Sequence, residues 1–104
     1  MNRQLRRKNQ KLKGKTSEFQ KILLNAIDLH SKKKFEEAET LYNRLNTSQP
    51  GNYDVLRHLG ILNQDQGKYE KAYDFFLKSI NVKPDGYEAI SNLGTIHLFN
   101  KNRD

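Results

Sequence analysis

The sequence predicts an all-α protein assembled from one helical pair that is used twice and begun a third time. Apolar residues recur at helical spacing in five segments, and no segment shows a sustained period-two alternation. The segment "KKKFEEAETLYNRLNTSQPGN", which starts at Lys32, is echoed by "DQGKYEKAYDFFLKSINVKPDG", which starts at Asp65. Matched positions in the two segments lie 34 residues apart. A fixed interval of this kind indicates a repeat architecture.

The helical spacing of apolar residues after residue 17 predicts the first helical pair. The first predicted helix begins at Glu18, with Thr16 or Ser17 as its N-cap, since a side-chain oxygen there can accept from free backbone N–H groups. The segment "HSKKK" interrupts the apolar pattern, and a second amphipathic helix follows from Phe35. This helix ends at "TSQPGN", because proline disfavours helical backbone at the preceding residue and glycine tolerates a positive φ.

The second pair repeats this order. A helical pattern runs from Tyr53 to Gln64, and "DQGK" then forms a turn with Gly67 at the left-handed position. The next amphipathic helix starts at Tyr69 and ends at "NVKPDG". A fifth helix opens at Tyr87, so that a third unit begins with its first helix alone.

The positions that match at the 34-residue interval share size and polarity. They are Ile22/Leu56/Ile90, Ala26/Gly60/Gly94, Ile27/Ile61/Thr95, Phe35/Tyr69, Ala38/Ala72, Tyr42/Phe76, Leu45/Ser79 and Pro50/Pro84. The small residues should let the two helices of one unit approach closely, and the aromatic residues at 42 and 76 should fill the gap between units. The prolines close each unit.

These positions resemble the tetratricopeptide repeat, whose signature of about 34 residues contains Leu-Gly, an aromatic residue, Ala-x3-Phe and Pro. The unit from Tyr53 to Gly86 matches best, through Leu59-Gly60, Ala72-x3-Phe76 and Pro84. The departures are Asn25 in place of the signature Leu, and Leu29, Asn63 and His97 at the aromatic position. The resemblance implies a right-handed superhelical solenoid of about two and a half repeats in a domain at residues 18–104. Its units are expected at about 19–52 and 53–86, with a partial unit at 87–104.

In solenoids of this family, the first helix of each unit lines a concave face. The resemblance therefore implies a scaffold whose concave groove binds a partner peptide or helix. The predicted groove residues are Leu23, Ile27, His30, Asp54, Arg57, His58, Ile61, Gln64 and Asn92. The same face would include Gln20, Leu24, Asp65, Glu88, Ser91, Thr95 and Phe99. The apolar first unit suits an amphipathic helix or an apolar peptide.

One partner type within the family is disfavoured. Members that serve heat-shock chaperones hold a C-terminal carboxylate with a clamp of Lys, Asn and Arg side chains. The corresponding positions here are Leu23, Ile27, His58, Glu88 and Asn92, and none of the five carries the clamp residue. Glu88 would moreover repel a carboxylate.

The net charge of +7 belongs to the N-terminus and not to the repeats. The first 17 residues hold seven of the nineteen cations and no acidic residue, so residues 18–104 carry twelve cations and twelve anions. This predicts a basic, mobile arm at residues 1–17. As an alternative function, the arm would bind RNA or an acidic membrane surface through Arg3, Arg6, Arg7, Lys8, Lys11, Lys13 and Lys15. The arm has no aromatic residue for stacking on bases, which counts against RNA.

Catalytic and metal-binding patterns are missing from the sequence. The chain has no Cys, and its three histidines are not at metal-ligand spacing. No nucleophile elbow, phosphate-binding glycine loop or HExxH motif occurs. We therefore expect no enzymatic activity, no cofactor and no metal. No apolar stretch approaches the roughly 18 residues of a membrane span, so a cytoplasmic location is the default expectation.

The isolated fifth helix leaves three interpretations open. The chain resembles the N-terminal repeat region of a longer bacterial-type protein, which is the interpretation that we favour. Self-association through the exposed C-terminal helix would also cover its apolar residues. In a third interpretation, the repeats are the accessory module of an enzyme whose activity lies in other sequence.

Overall fold

The computed structural model describes residues 17–103, and side chains as far as residue 98. This part of the chain contains five helices and no strand: α1 (Glu18–Ser31), α2 (Phe35–Ser48), α3 (Tyr53–Asp65), α4 (Tyr69–Val82) and α5 (Tyr87–Arg103). The predicted all-α fold with five helices is confirmed. Residues 1–16, and with them all seven cations of the predicted arm, lie outside the described residues.

The first helix of each complete pair begins at a side-chain cap. The hydroxyl of Ser17 accepts from the N–H of Gln20 at 3.1 Å, and the side-chain oxygen of Asn52 accepts from the N–H of Val55 at 3.1 Å. These bonds satisfy backbone donors that have no partner inside a helix. Helices α2 and α4 have no such cap, but α2 carries Glu36 and Glu37 and α4 carries Glu70 in the first turn, where the helix dipole favours negative charge.

The turns repeat as closely as the helices do. Gly67, between α3 and α4, has a φ of 75°, and Gly51, after α2, has a φ of 81°. Both glycines occupy the left-handed region that the sequence predicts for them. The position equivalent to Gly67 between α1 and α2 is occupied by Lys33, which has a φ of 62°. The repeat therefore imposes the same backbone on a residue that carries a Cβ.

The helices pack in a regular order along the chain. Each helix contacts the next one, and α3 and α4 share the most extensive contact. In addition, α1 contacts α3, and α3 contacts α5. The first helices of successive units are therefore neighbours, as expected of a helical repeat solenoid in which each unit stacks on the last.

The core forms two clusters centred on the aromatic residues of α2 and α4. One contains Ala26, Ala38, Tyr42, Leu45, Val55, Leu59 and Leu62, and the other contains Ala72, Phe76 and Ile96. The ring of Tyr42 is stacked 5.9 Å from that of His58 in the next unit. Phe76 packs with Ile96 of α5. Both aromatic side chains are fully buried, which confirms that they fill the gap between units.

The predicted role of the small residues is confirmed in α3 but not in α5. A Cβ added at Gly60 would lie 2.5 Å from a ring carbon of Phe76, so the close approach of α3 and α4 depends on this glycine. A Cβ added at Gly94 would meet nothing within 4 Å. The prediction that Gly94 serves a helix contact is therefore wrong for the described residues, because none of their helices lies against that side of α5.

The position of α5 is fixed through one tyrosine of α3. The hydroxyl of Tyr53 donates to Glu88 at 3.0 Å and accepts from the N–H of Ala89 at 3.2 Å. Gly86 allows this approach, since a Cβ there would lie 2.5 Å from the same hydroxyl. The ammonium of Lys83 lies 5.3 Å from the centre of the Tyr53 ring. Tyr53 thus caps the first turn of a helix in the next unit.

Candidate binding groove

A cavity of about 530 Å³ opens between the C-terminal half of α1, the turn that follows it, and α3. Its walls are formed by Ile27, His30, Ser31, Lys33, Phe35, His58, Ile61 and Asp65. Because α1 and α3 are the first helices of successive units, the cavity lies on the face that the sequence predicts to be concave. Its size falls in the range of about 300–1,000 Å³ that is typical of small-ligand pockets.

A hydrogen-bonded chain connects the two units at one wall of the cavity. Nε2 of His30 in α1 lies 2.7 Å from a carboxylate oxygen of Asp65 in α3, and its Nδ1 lies 3.3 Å from the hydroxyl of Tyr42. In the neutral tautomer that donates to Asp65, Nδ1 is left to accept from Tyr42. The side chain of His30 is only 10% exposed, whereas that of Asp65 is 47% exposed. Asp65 therefore presents its remaining acceptor sites to the solvent side of the cavity.

The Asp65–His30–Tyr42 order matches that of a catalytic triad, but Tyr42 is not in a state to react. Its side chain is fully buried. Burial, with a further contribution from Asp65 that Arg57 opposes, raises the pKa of the Tyr42 hydroxyl to about 12. A nucleophile needs access to a substrate and an activated hydroxyl, and Tyr42 has neither. These two hydrogen bonds join the first unit to the second and fix the orientation of the His30 ring.

A second imidazole faces the cavity in neutral form. Burial, together with the neighbouring guanidinium of Arg57, lowers the pKa of His58 to about 4. Its ring is stacked on Tyr42 at an interplanar angle of 7°. At neutral pH, His58 therefore offers one N–H donor and one acceptor nitrogen but no charge. Within the described residues it has no hydrogen-bond partner.

The rim of the cavity carries a positive charge through Lys33. Its ammonium forms no ion pair within the described part of the chain, whereas the neighbouring Lys32 lies 3.0 Å from Asp28. Ile27, Phe35 and Ile61 supply the apolar surface below this rim. The cavity therefore combines an apolar floor, the neutral imidazole of His58, the carboxylate shared between Asp65 and His30, and one free ammonium.

Four of the nine predicted groove residues line this cavity, and five lie elsewhere. Ile27, His30, His58 and Ile61 form its walls. Leu23 is half-buried against the first core cluster. Asp54 is exposed in the first turn of α3. The structure thus brings together residues of the first and second units.

The other three, Arg57, Gln64 and Asn92, share a different property. Each is partly buried and holds a buried polar atom with no hydrogen-bond partner among the described residues: Nε, Oε1 and Oδ1, respectively. Buried polar atoms in folded proteins are usually paired. Three predicted groove positions on α3 and α5 therefore have hydrogen-bonding capacity left for another molecule or for water.

Four cavity residues are missing from the nine predicted groove residues: Asp65, which was expected elsewhere on the same face, and Ser31, Lys33 and Phe35, which were not expected there. Phe35 matches Tyr69 in the repeat and packs against the first core cluster, and it also lines the cavity. Lys33 could have been found from the repeat itself, since it replaces the turn glycine of the next unit. Nothing in the sequence distinguishes Ser31 from any other residue at a helix end.

A smaller concavity of about 420 Å³ lies between α2, α3 and α4. Its lining is more polar: Glu39, Asn43, Leu59, Asn63, Lys71, Asp74, Phe75 and Lys78. The ammonium of Lys78 lies 5.4 Å from the centre of the Phe75 ring. Alternating charges on α2 and α4 are typical of a solvated face.

The described residues were also compared with the requirements of a metal site and of a membrane-spanning helix, and they meet neither. Within residues 17–98, no group of three or more His, Asp or Glu side chains is placed to hold a metal ion. None of the helices in the described part of the chain is both long and apolar enough to span a membrane.

In a comparison with known protein families, the family model of the tetratricopeptide repeat matches residues 24–47 and residues 59–78. The first match runs from the middle of α1 to the end of α2, and the second from the middle of α3 into α4. The two matches therefore correspond to the two complete helical pairs.

Proposed function

Since the chain belongs to the tetratricopeptide repeat family, whose repeats mediate protein–protein interaction, we propose that it is a scaffold that binds a partner segment between α1 and α3. The family is typically non-enzymatic, and the repeats are proposed to act by binding alone. The partner segment is an amphipathic helix or a peptide that places an apolar side chain in the cavity.

The observation that carries this proposal is the composition of the cavity. Its floor of Ile27, Phe35 and Ile61 can remove an apolar side chain from water, at about 25 cal/mol for each Å² buried. Its rim provides the Lys33 ammonium and the carboxylate of Asp65. An apolar floor with a few polar groups around it is the usual make-up of a specific binding pocket.

The unpaired polar atoms on α3 and α5 support a segment longer than one side chain. Arg57 and Gln64 lie on α3, and Asn92 lies on α5. A peptide that runs along the first helices would reach these atoms in turn. Hydrogen bonds to them would offset the cost of their burial, which is about 1–3 kcal/mol for an unsatisfied group.

The proposal is tested by capture of partners on the immobilised chain, followed by calorimetric titration of one purified partner. Ser31→Arg places a long side chain at the cavity without touching the core, and a cation is favourable at a helix C-terminus. Ser48→Arg is the matched control. Both serines end a helix and donate to the carbonyl three residues earlier, at 2.7 Å for Ser31 and 3.0 Å for Ser48.

We expect Ser31→Arg to weaken binding roughly tenfold or more, equivalent to about 1.4 kcal/mol, and Ser48→Arg to leave the affinity unchanged. Equal affinities for both variants would show that partners bind elsewhere. Circular dichroism on both variants verifies that the fold is retained.

An alternative function rests on the seven cations of residues 1–17, which no acidic residue in that segment offsets. In this proposal, the arm binds RNA or an anionic membrane. Deletion of residues 1–17 should then abolish binding to both an RNA oligonucleotide and anionic vesicles, and binding by the full chain should weaken steeply with salt. Binding that survives deletion, or that is insensitive to salt, would contradict it.

A further inference from the structure

The turn between α1 and α2 holds a lysine in a backbone conformation that favours glycine. Lys33 has a φ of 62°, and Gly67, which occupies the same position in the next unit, has a φ of 75°. In this left-handed region a Cβ is crowded by the neighbouring carbonyl, so Lys33 is strained and Gly67 is not. Strained backbone conformations cluster at binding sites, where the residue takes part in recognising a ligand. The strain at Lys33 therefore points to a role for its side chain beyond the fold.

The side chain of Lys33 forms no ion pair with any carboxylate in the described part of the chain. Glu36 and Glu37 lie three and four residues further along, yet neither is paired with it. The adjacent Lys32 is the lysine that pairs with Asp28, at 3.0 Å. Lys33 lines the cavity between α1 and α3, whereas Lys32 does not. The rim of the cavity thus carries an ammonium whose charge no described carboxylate neutralises.

The charges around the cavity restrict where a carboxylate of a partner can bind. Lys33 attracts a carboxylate at the turn between α1 and α2. Asp65, on α3, repels a carboxylate, and its own carboxylate lies 2.7 Å from Nε2 of His30. A segment that carries one acidic side chain is therefore held with that side chain towards the turn and away from α3.

The N-terminal segment of the chain itself is a poor occupant of this site. Residues 1–17 hold seven cations and no acidic residue, so Lys33 would repel them. We propose that the segment bound between α1 and α3 belongs to a partner protein and carries an Asp or Glu side chain beside its apolar residue. Lys33 selects the segment by pairing with that carboxylate. This inference rests on the proposed function, to which it adds the chemistry of the partner.

Random peptides displayed on phage serve as the probe. Each peptide is fused to the coat protein through its C-terminus, so that no free terminal carboxylate is presented. The library is selected in parallel on the native full chain and on Lys33→Gly, which removes the cation and relaxes the backbone of the turn. We expect the native chain to enrich peptides in which an acidic residue lies beside an apolar one. Lys33→Gly should enrich the apolar residue alone.

A synthetic peptide from the native selection, amidated at its C-terminus, is then titrated into each variant by calorimetry. Lys33→Gly should weaken its binding roughly tenfold. Because glycine suits this turn, the fold is retained in Lys33→Gly, and unfolding does not account for the loss. Lys33→Arg keeps the cation and should bind the peptide as the native chain does. The matched control is Lys32→Gly, which removes a cation that does not line the cavity and should leave the affinity unchanged.

Two further measurements separate this inference from the proposed function. Replacing the acidic residue of the peptide with its amide should weaken binding as much as Lys33→Gly does, and the two changes together should have no larger effect. Amide shifts of Ile27 and Ile61 in the isotopically labelled chain report whether the peptide occupies the cavity.

Peptides that shift these two residues but lack an acidic residue, or that bind Lys33→Gly equally well, would overturn the inference and leave the proposed function standing. A selection that yields no peptide able to shift Ile27 and Ile61 would contradict the proposed function, and this inference with it.

Discussion

Gly60 lies in direct contact with the ring of Phe76, with room for a hydrogen atom but not for a methyl group. A Cβ at this position would be 2.5 Å from Cε1 of Phe76, whose side chain is fully buried. Gly60→Ala gains up to about 1 kcal/mol from helix propensity. It loses more to overpacking, which costs about 1–3 kcal/mol and more where the neighbour cannot move. We expect a net loss of about 1–2 kcal/mol in urea unfolding.

The same substitution 34 residues later should have the opposite sign. Gly94 has the same place in α5, but a Cβ there meets nothing within 4 Å. Gly94→Ala should therefore stabilise the protein by about 0.5–1 kcal/mol through helix propensity alone. Thermal unfolding of the two variants side by side measures this. Destabilisation by Gly94→Ala would mean that the outer side of α5 is covered in the free protein.

Lys33 is in a backbone conformation that suits glycine. Its φ of 62° matches the 75° of Gly67 in the equivalent turn, and a residue with a Cβ loses about 1–2 kcal/mol there. Lys33→Gly should therefore raise the free energy of unfolding by about 1 kcal/mol, while Gly67→Ala should lower it by a similar amount. If Lys33→Gly instead lowers the free energy of unfolding, the Lys33 side chain stabilises the fold by more than its left-handed backbone conformation destabilises it.

The hydroxyl of Tyr53 should contribute measurably to stability. It bridges Glu88 and the N–H of Ala89, so Tyr53→Phe leaves that N–H without its partner. We expect a loss of about 1–2 kcal/mol, seen in urea unfolding. Tyr87→Phe is the control, since Tyr87 occupies the equivalent position but is 75% exposed. A loss of equal size in both variants would contradict the role assigned to Tyr53.

Stability should fall in mild acid because of His58. Burial lowers its pKa in the folded state to about 4, against 6.5 for the ordinary side chain. Between these values the unfolded chain binds a proton that the folded chain does not, so the free energy of unfolding decreases as pH falls from 6.5 to 4. His58 is partly exposed, so solvent screening limits the decrease to the order of 2 kcal/mol.

His58→Gln should remove this part of the pH dependence. The measurement is urea unfolding at several pH values across the window, for the native chain and for His58→Gln. Between pH 6.5 and 4, the native chain should lose stability relative to His58→Gln, whatever the difference between the two at neutral pH. Parallel curves would show that His58 is protonated as easily in the folded state as in the unfolded one.

The sequence predicts the helices and most of the core because those features repeat. Gly60 and Phe76 could be paired in advance, since small and aromatic residues recur at fixed positions in each unit. The contact between His30 and Asp65 could not, because it joins adjacent units at a separation of 35 residues and uses polar groups that have no counterpart elsewhere in the chain.

Other features lie outside any periodic pattern. Phe35 matches Tyr69 in the repeat, yet the exposure of its ring to the cavity depends on the angle between units. The burial of single atoms in Arg57 and Asn92 likewise follows from packing that the pattern does not encode.

The central claim is that a partner segment binds between α1 and α3. The most direct measurement is an NMR titration of the labelled chain with a purified partner segment. We predict that the largest shifts fall on the cavity residues Ile27, His30, Ile61 and Asp65. Shifts confined to the α2 and α4 face, around Glu39, Lys71 and Lys78, with the cavity residues unchanged, would contradict the claim.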